Sequence, residues 1–158
     1  MALEKGVNAY VSVADADAYF ADRLGGEIWL GLSEQVRAAA LISATRHIDG
    51  MHWKNSAISA SQPLAFPRDG TYFDNRVGAY VAMNPVPHNV EIATCETALY
   101  LVNNQSVLDG QASVKGLKVG PIELTDISSV SQTAPMADVY LKDLKASISV
   151  RRQWWRAN

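Results

Sequence analysis

Three histidines, one cysteine and a run of aspartates are the side chains of this 158-residue chain that could carry chemistry. A zinc site needs three or four His, Cys or carboxylate ligands converging on one point. His47 and His52 stand five positions apart, which does not bring them onto one helix face, and no cysteine or carboxylate pair completes a set around them or around His88. Asp15, Asp17 and Asp22 lack the EF-hand succession of oxygen ligands and glycine. Their spacing splays them around a helix as a solvated acidic face. Gly25-Gly26 and Gly116-x-x-x-Gly120 match neither the Rossmann nor the Walker spacing, and no serine lies in a nucleophile-elbow context. The single Cys95 has no internal disulfide partner and reads as a small core residue in a reducing compartment. The residue types argue against an enzyme, and neither a metal nor a cofactor is expected.

Two other constellations suit binding rather than catalysis. In Gln62-Pro63-Leu64-Ala65-Phe66-Pro67-Arg68 the prolines keep the stretch extended and out of a helix. Leu64 and Phe66 then share one side, next to the charge of Arg68, as a docking segment would. At the C-terminus, Trp154 and Trp155 stand among Arg151, Arg152 and Arg156. Such residues stack on bases and pair with phosphates, anchor protein interfaces, or fold back on their own core.

These residues must be positioned by a scaffold of ordinary globular composition, 48% hydrophobic and of single-domain length. No run reaches the ~18 apolar residues of a membrane span, and Met1 to Lys5 lack the layout of a secretion signal; a soluble protein made in a cytoplasm is expected. The net charge of −2 is unevenly spread. Residues 141–158 carry five basic side chains against Asp143 alone, a local +4 that leaves −6 on the first 140. An acidic body with a basic tail suggests separate partners.

Ser12, with Asp15 three positions on, predicts a helix start, followed by an apolar stripe of Ala16, Tyr19, Phe20 and Leu24 and a stop at Gly25-Gly26. Ser33 predicts the cap of a second helix reaching about Asp49, with Val36, Ala40, Ala44 and Ile48 at a four-residue repeat and small residues for close helix approach. Residues 55–87 hold four of the six prolines and read as a long irregular insertion, with short extended pieces around Val77, Val81 and Met83. Pro87 opens a third helix with Ile92, Cys95, Leu99 and Val102 on one face, Glu91 and Glu96 off it, and Asn103-Asn104 at its end. Residues 112–124 read as a short strand pair or extended arm. Pro135 begins a short last helix with Met136, Val139, Tyr140 and Leu144. The fold expected is mainly α. It is a small helical bundle over residues 1–146, with the 55–87 insertion, a short β arm and a C-terminal docking segment over residues 147–158. Phe20, Val36, Ala40, Ile92, Cys95 and Leu99 are the expected core.

The Tyr10-Val11-Ser12 entry to an acidic helix resembles the head–tail connector (adaptor) proteins of tailed bacteriophages, often labelled DnaT-like single-stranded-DNA-binding proteins. The alanine-rich helix through Arg46 and Asp49-Gly50 to Trp53, the 62–68 segment, and the helix after Pro87 with Ala93, Cys95, Glu96 and Ala98 extend that resemblance. It implies a virion protein at the capsid–tail junction, working by assembly alone. Such proteins form a homo-oligomeric ring, typically of twelve copies, below the portal protein. The ring extends the channel for packaged DNA and offers a surface to tail or tail-completion proteins. On that frame Arg151, Arg152, Trp154, Trp155 and Arg156 are expected to dock on the portal. Leu64, Phe66 and Arg68 are expected between subunits, and Asp15, Asp17, Asp22 and Glu27 at the lumen or between subunits. The alternative is a single-stranded-DNA-binding replication accessory.

Overall fold

The computed structural model describes residues 2–105 and 134–146. Among these, five helices and one two-stranded sheet follow in the order α1 (Val13–Ala21), α2 (Glu27–Leu30), α3 (Glu34–Asp49), β1 (Thr71–Asp74), β2 (Ala79–Ala82), α4 (His88–Asn103) and α5 (Pro135–Leu141). The mainly helical class agrees with the sequence reading. The 112–124 arm and the 147–158 tail lie outside the described residues.

Local signals set the helix ends. Ser12 accepts from the Asp15 amide while the Asp15 side chain accepts from the Ser12 amide, a reciprocal capping box. Ser33 accepts from the Val36 amide at the start of α3. Pro87 precedes α4, and Asn104 ends it. After α1 the chain turns through Gly25 at φ +79°, and at Gly26 a Cβ would lie 1.8 Å from the Phe20 carbonyl oxygen. Only glycine permits that return. The turn makes room for α2, which the sequence reading missed, and α2 drives Trp29 onto Phe20 with ring centroids 4.8 Å apart.

Helix α4 is the centre. Val90, every residue from 93 to 99, and Leu101 are buried, as befits a helix enclosed on all sides. It packs between α3 and α5 and touches α1. Cys95 is part of this core, and burial pushes its thiol up to about 12. The thiolate that nucleophilic chemistry needs is therefore scarce.

Several helix faces differ from the expected ones. Phe20, Ala40, Cys95 and Leu99 are buried, but Val36 is 45% exposed and Ile92 only partly covered. Helix α3 meets α4 through Ala40, Leu41, Ala44, Thr45 and Ile48, and its first turn stands at the edge of a depression shared with Leu101 and Val102. Leu24 is 98% exposed because α1 ends at Ala21, three residues earlier. In α5 the buried positions are Ala137 and Leu141, with Leu144 just beyond, whereas Met136 and Val139 face outward.

The 55–87 insertion is more ordered than its prolines suggest. It holds the β1–β2 hairpin, in antiparallel register Thr71↔Ala82, Tyr72↔Val81, Phe73↔Tyr80 and Asp74↔Ala79, and two cis X-Pro bonds, Phe66-Pro67 and Asn84-Pro85. The end of the described chain closes the bundle, since the Lys54 amide donates to the Leu144 carbonyl and the Ala146 amide to the His52 carbonyl, both at 3.0 Å.

Leu99 tests the placement of α4. Leu99→Ala is expected to lower unfolding free energy by ~2 kcal/mol, the bottom of the range for buried leucine. Leu99 borders a cleft of about 160 Å³ into which the site can relax. Chemical denaturation of the two proteins measures it.

Candidate interaction surfaces

The 62–68 segment sits on its own chain. Phe66 is 2% exposed and Leu64 8%. The Phe66 ring meets Trp53 edge-on at 4.9 Å and Tyr10 at 6.1 Å. The expectation that Leu64 and Phe66 face a neighbouring subunit differs from this placement, for a physical reason. Both side chains fill the gap between the N-terminal segment and the end of α3, and Tyr10 and Asp49 clamp the backbone there. The Tyr10 hydroxyl donates to Asp49 Oδ1 and accepts the Phe66 amide at 3.1 Å, while Asp49 Oδ1 also accepts the Ala65 amide at 3.2 Å. Burial, then the Asp49 contact, pushes the Tyr10 phenol far up, so it stays protonated as a donor. Burial raises Asp49 as well.

Arg68 is spent in the same latch. Its guanidinium donates to the carbonyls of Lys54 (2.8 Å), Ala65 (3.0 Å) and Asn55 (2.5 Å) and lies 5.9 Å from the Phe66 ring centre. It folds the insertion against the body rather than offering charge to a partner.

Most other cations are spent in the same way. Lys5 pairs with Asp15 and Glu91, and Arg37 with Asp17 at 2.5 Å. Lys145 pairs with Asp138, and Lys54 donates to the Asp143 carbonyl. Glu96, expected off the buried face, is only 5% exposed. The all-round burial of α4 forces it against α1. There Arg23 grips it through Nε at 2.5 Å and Nη2 at 2.8 Å, and the Tyr19 hydroxyl donates at 2.6 Å. Asp15 and Asp17 are not a free acidic face either, because Asp17 also accepts from Trp29 Nε1 at 2.8 Å. Arg76 pairs loosely with Asp74 at 3.6 Å within the hairpin and is otherwise exposed, and Arg46 and Lys142 are exposed elsewhere on the described chain.

The histidines do not converge. His52 and His88 are exposed, the latter 3.3 Å from Glu91. Among the described residues no group of three potential metal ligands forms, and no helix is long and apolar enough to cross a membrane. His47, in the last turn of α3, buries an Nε2 with no hydrogen-bond partner. Burial, then the nearby Lys145 charge, lowers its pKa below the usual 6.5. The neutral form therefore belongs to the folded state. Stability should be full above about pH 6.5 and decline as the pH falls from there, with a slope of at most about 1.4 kcal/mol per pH unit. Urea midpoints of the wild type and His47→Gln between pH 7.5 and about 5 check this, and the variant should lack that component of the slope.

What remains uncovered is apolar. On the hairpin, Tyr72 and Asp74 are buried beneath, while Phe73 (41% exposed) and Tyr80 (74%) form an edge-on pair at 5.4 Å on the outer face. The sequence carried little signal for this, since only β1 alternates in burial and the pairing of Phe73 with Tyr80 across Asn75-Arg76-Val77-Gly78 exists only once the strands are paired. A second surface lies on α3, where a groove of about 660 Å³ runs over Leu3, Val13, Ala38, Ala39 and Ile42, with Glu34 and Arg46 among its lining residues. Arg151, Arg152, Trp154, Trp155 and Arg156 lie outside the described residues.

No curated protein and no solved structure matches the chain. Residues 2–153 match the model of the family described as "Putative DnaT-like ssDNA binding protein", and with nearly its whole length covered the chain belongs to that family.

Proposed function

We propose that the protein is a structural, non-enzymatic head–tail connector of a tailed phage. It assembles as a homo-oligomeric ring below the portal, extending the DNA channel and offering an attachment surface to the tail. The observation that carries this reading is the outward Phe73–Tyr80 face of the hairpin, a pair of exposed aromatic side chains of the type enriched at protein contacts. The spent cations fit it as well. A strand-tracking groove needs a continuous basic lining, and Arg46, Arg76 and Lys142 are scattered. A channel for DNA, by contrast, works best when the duplex slides without sticking. Trp154, Trp155 and their arginines would supply the joint to the portal.

Single-stranded-DNA binding is the second reading, and the family's description favours it directly. Phe73 and Tyr80 beside the exposed Arg76 are also the residue types on which bases stack. Two measurements separate the readings. A connector should add to DNA-filled, tailless heads and bind oligonucleotides weakly; a strand binder should take up an oligonucleotide with an affinity that falls steeply with salt. Tight, salt-sensitive uptake with no association with heads would overturn the connector reading.

A further inference from the structure

We propose that the outer face of the hairpin of one copy docks into the α3 groove of the next. This contact rests on the ring reading above and names its interface. Among the described residues neither surface is covered by the chain itself. The hairpin offers Phe73 and Tyr80 outward, flanked on the same face by exposed Thr71 and Ala82. The groove, at about 660 Å³, has the size of a site that holds a drug-sized ligand. A second depression of about 310 Å³ adjoins it across Ala39 and Ser43, so an elongated element is accommodated better than a compact one.

Charge selects the occupant and its direction. Glu34 and Arg46 line the groove from opposite ends of α3, twelve residues or about 18 Å apart along the helix. The hairpin carries Asp69 at its base and Arg76 in its turn, both exposed. The five residue steps from Asp69 to Asp74 alone span up to about 17 Å. Laid along the groove with its turn toward the N-terminus of α3, the hairpin sets Arg76 against Glu34 and Asp69 against Arg46. The reversed direction would place like charges together.

The contact is heterologous, since one patch meets a different patch, and such contacts close into a ring when the rotation between copies closes, as the ring reading requires. With Phe73 41% and Tyr80 74% exposed, the two rings can bury only about 170–290 Å² more, well short of the ~1,200 Å² of a stable pair. An isolated pair is therefore weak, and closure, which holds each copy on both sides, makes the assembly durable.

Sedimentation velocity of the full chain over a concentration series tests the contact with two variants, Tyr80→Asp on the hairpin and Ala39→Trp in the groove. Each should weaken self-association at least about tenfold. Mixed in equal amounts at the top of the series they should associate one to one, weakly but more than either does alone, because one retains an intact groove and the other an intact hairpin. Arg76→Glu and Glu34→Arg, both at exposed positions that leave the core untouched, should each weaken assembly, and the double variant should recover it. If the unmodified chain forms rings that ignore all four substitutions, or if the mixture at the top of the concentration series associates no more than either variant alone, this interface is overturned while the ring reading stands. If the unmodified chain stays monomeric at every concentration and on DNA-filled heads, the ring reading falls and the interface with it.

Discussion

Phe66→Ala is expected to cost about 3–5 kcal/mol of folding free energy, the range for removing a fully buried aromatic ring. The ring is 2% exposed and touches Trp53, Tyr10 and the Arg68 guanidinium, so its loss opens a cavity and strips three neighbours of contacts. The effect should also be local. Hydrogen exchange should show the Ala65 and Phe66 amides, held by Asp49 and the Tyr10 hydroxyl, opening far more readily in the variant. Tyr10→Phe keeps the ring and removes only the hydroxyl bridge, and should cost about 1–3 kcal/mol as the Phe66 amide loses its acceptor. A Phe66→Ala protein as stable as the wild type would mean that the segment does not seat on its own chain, and would reopen its use between subunits.

Arg23→Met should be nearly as damaging, at about 3 kcal/mol. The substitution leaves Glu96, 5% exposed at the centre of the bundle, with Tyr19 as its remaining hydrogen-bond donor. Breaking a buried ion pair from one side typically costs ~3–5 kcal/mol. The Arg23 side chain is 28% exposed, so water can enter and the lower end applies. Replacing both partners, Arg23→Met with Glu96→Leu, should recover most of the loss, because no uncompensated charge is then buried. Urea unfolding of the two single variants and the double variant closes the cycle. Additive losses would mean that the two side chains do not act as a pair.

How much was legible in the sequence depends on the range of the interaction. Ser12 with Asp15, Ser33, Pro87 and Asn104 placed the ends of three helices, because a cap is made within three or four residues. Trp29 was missed because α2 is a single turn, held by tertiary contacts such as the stacking of Trp29 on Phe20 and its hydrogen bond to Asp17. Glu96 looked like a surface residue by periodicity; only the packing of α1, α3 and α5 around α4 shows that the helix has no free face. The outward hairpin pair was hidden for a similar reason, since Phe73 and Tyr80 become neighbours only through strand pairing.

The sequence by itself determined the mainly helical class, the capping points and the core role of Cys95, all consequences of local geometry and composition. The use of each polar and aromatic side chain was decided by tertiary structure. Leu64, Phe66 and Arg68 have the composition of a docking segment, yet Tyr10, Asp49 and Trp53, distant in sequence, turn them into an intramolecular latch. The physical reason is that burial and ion pairing are properties of what surrounds a group, and one stretch of chain cannot specify its surroundings until the rest has folded against it.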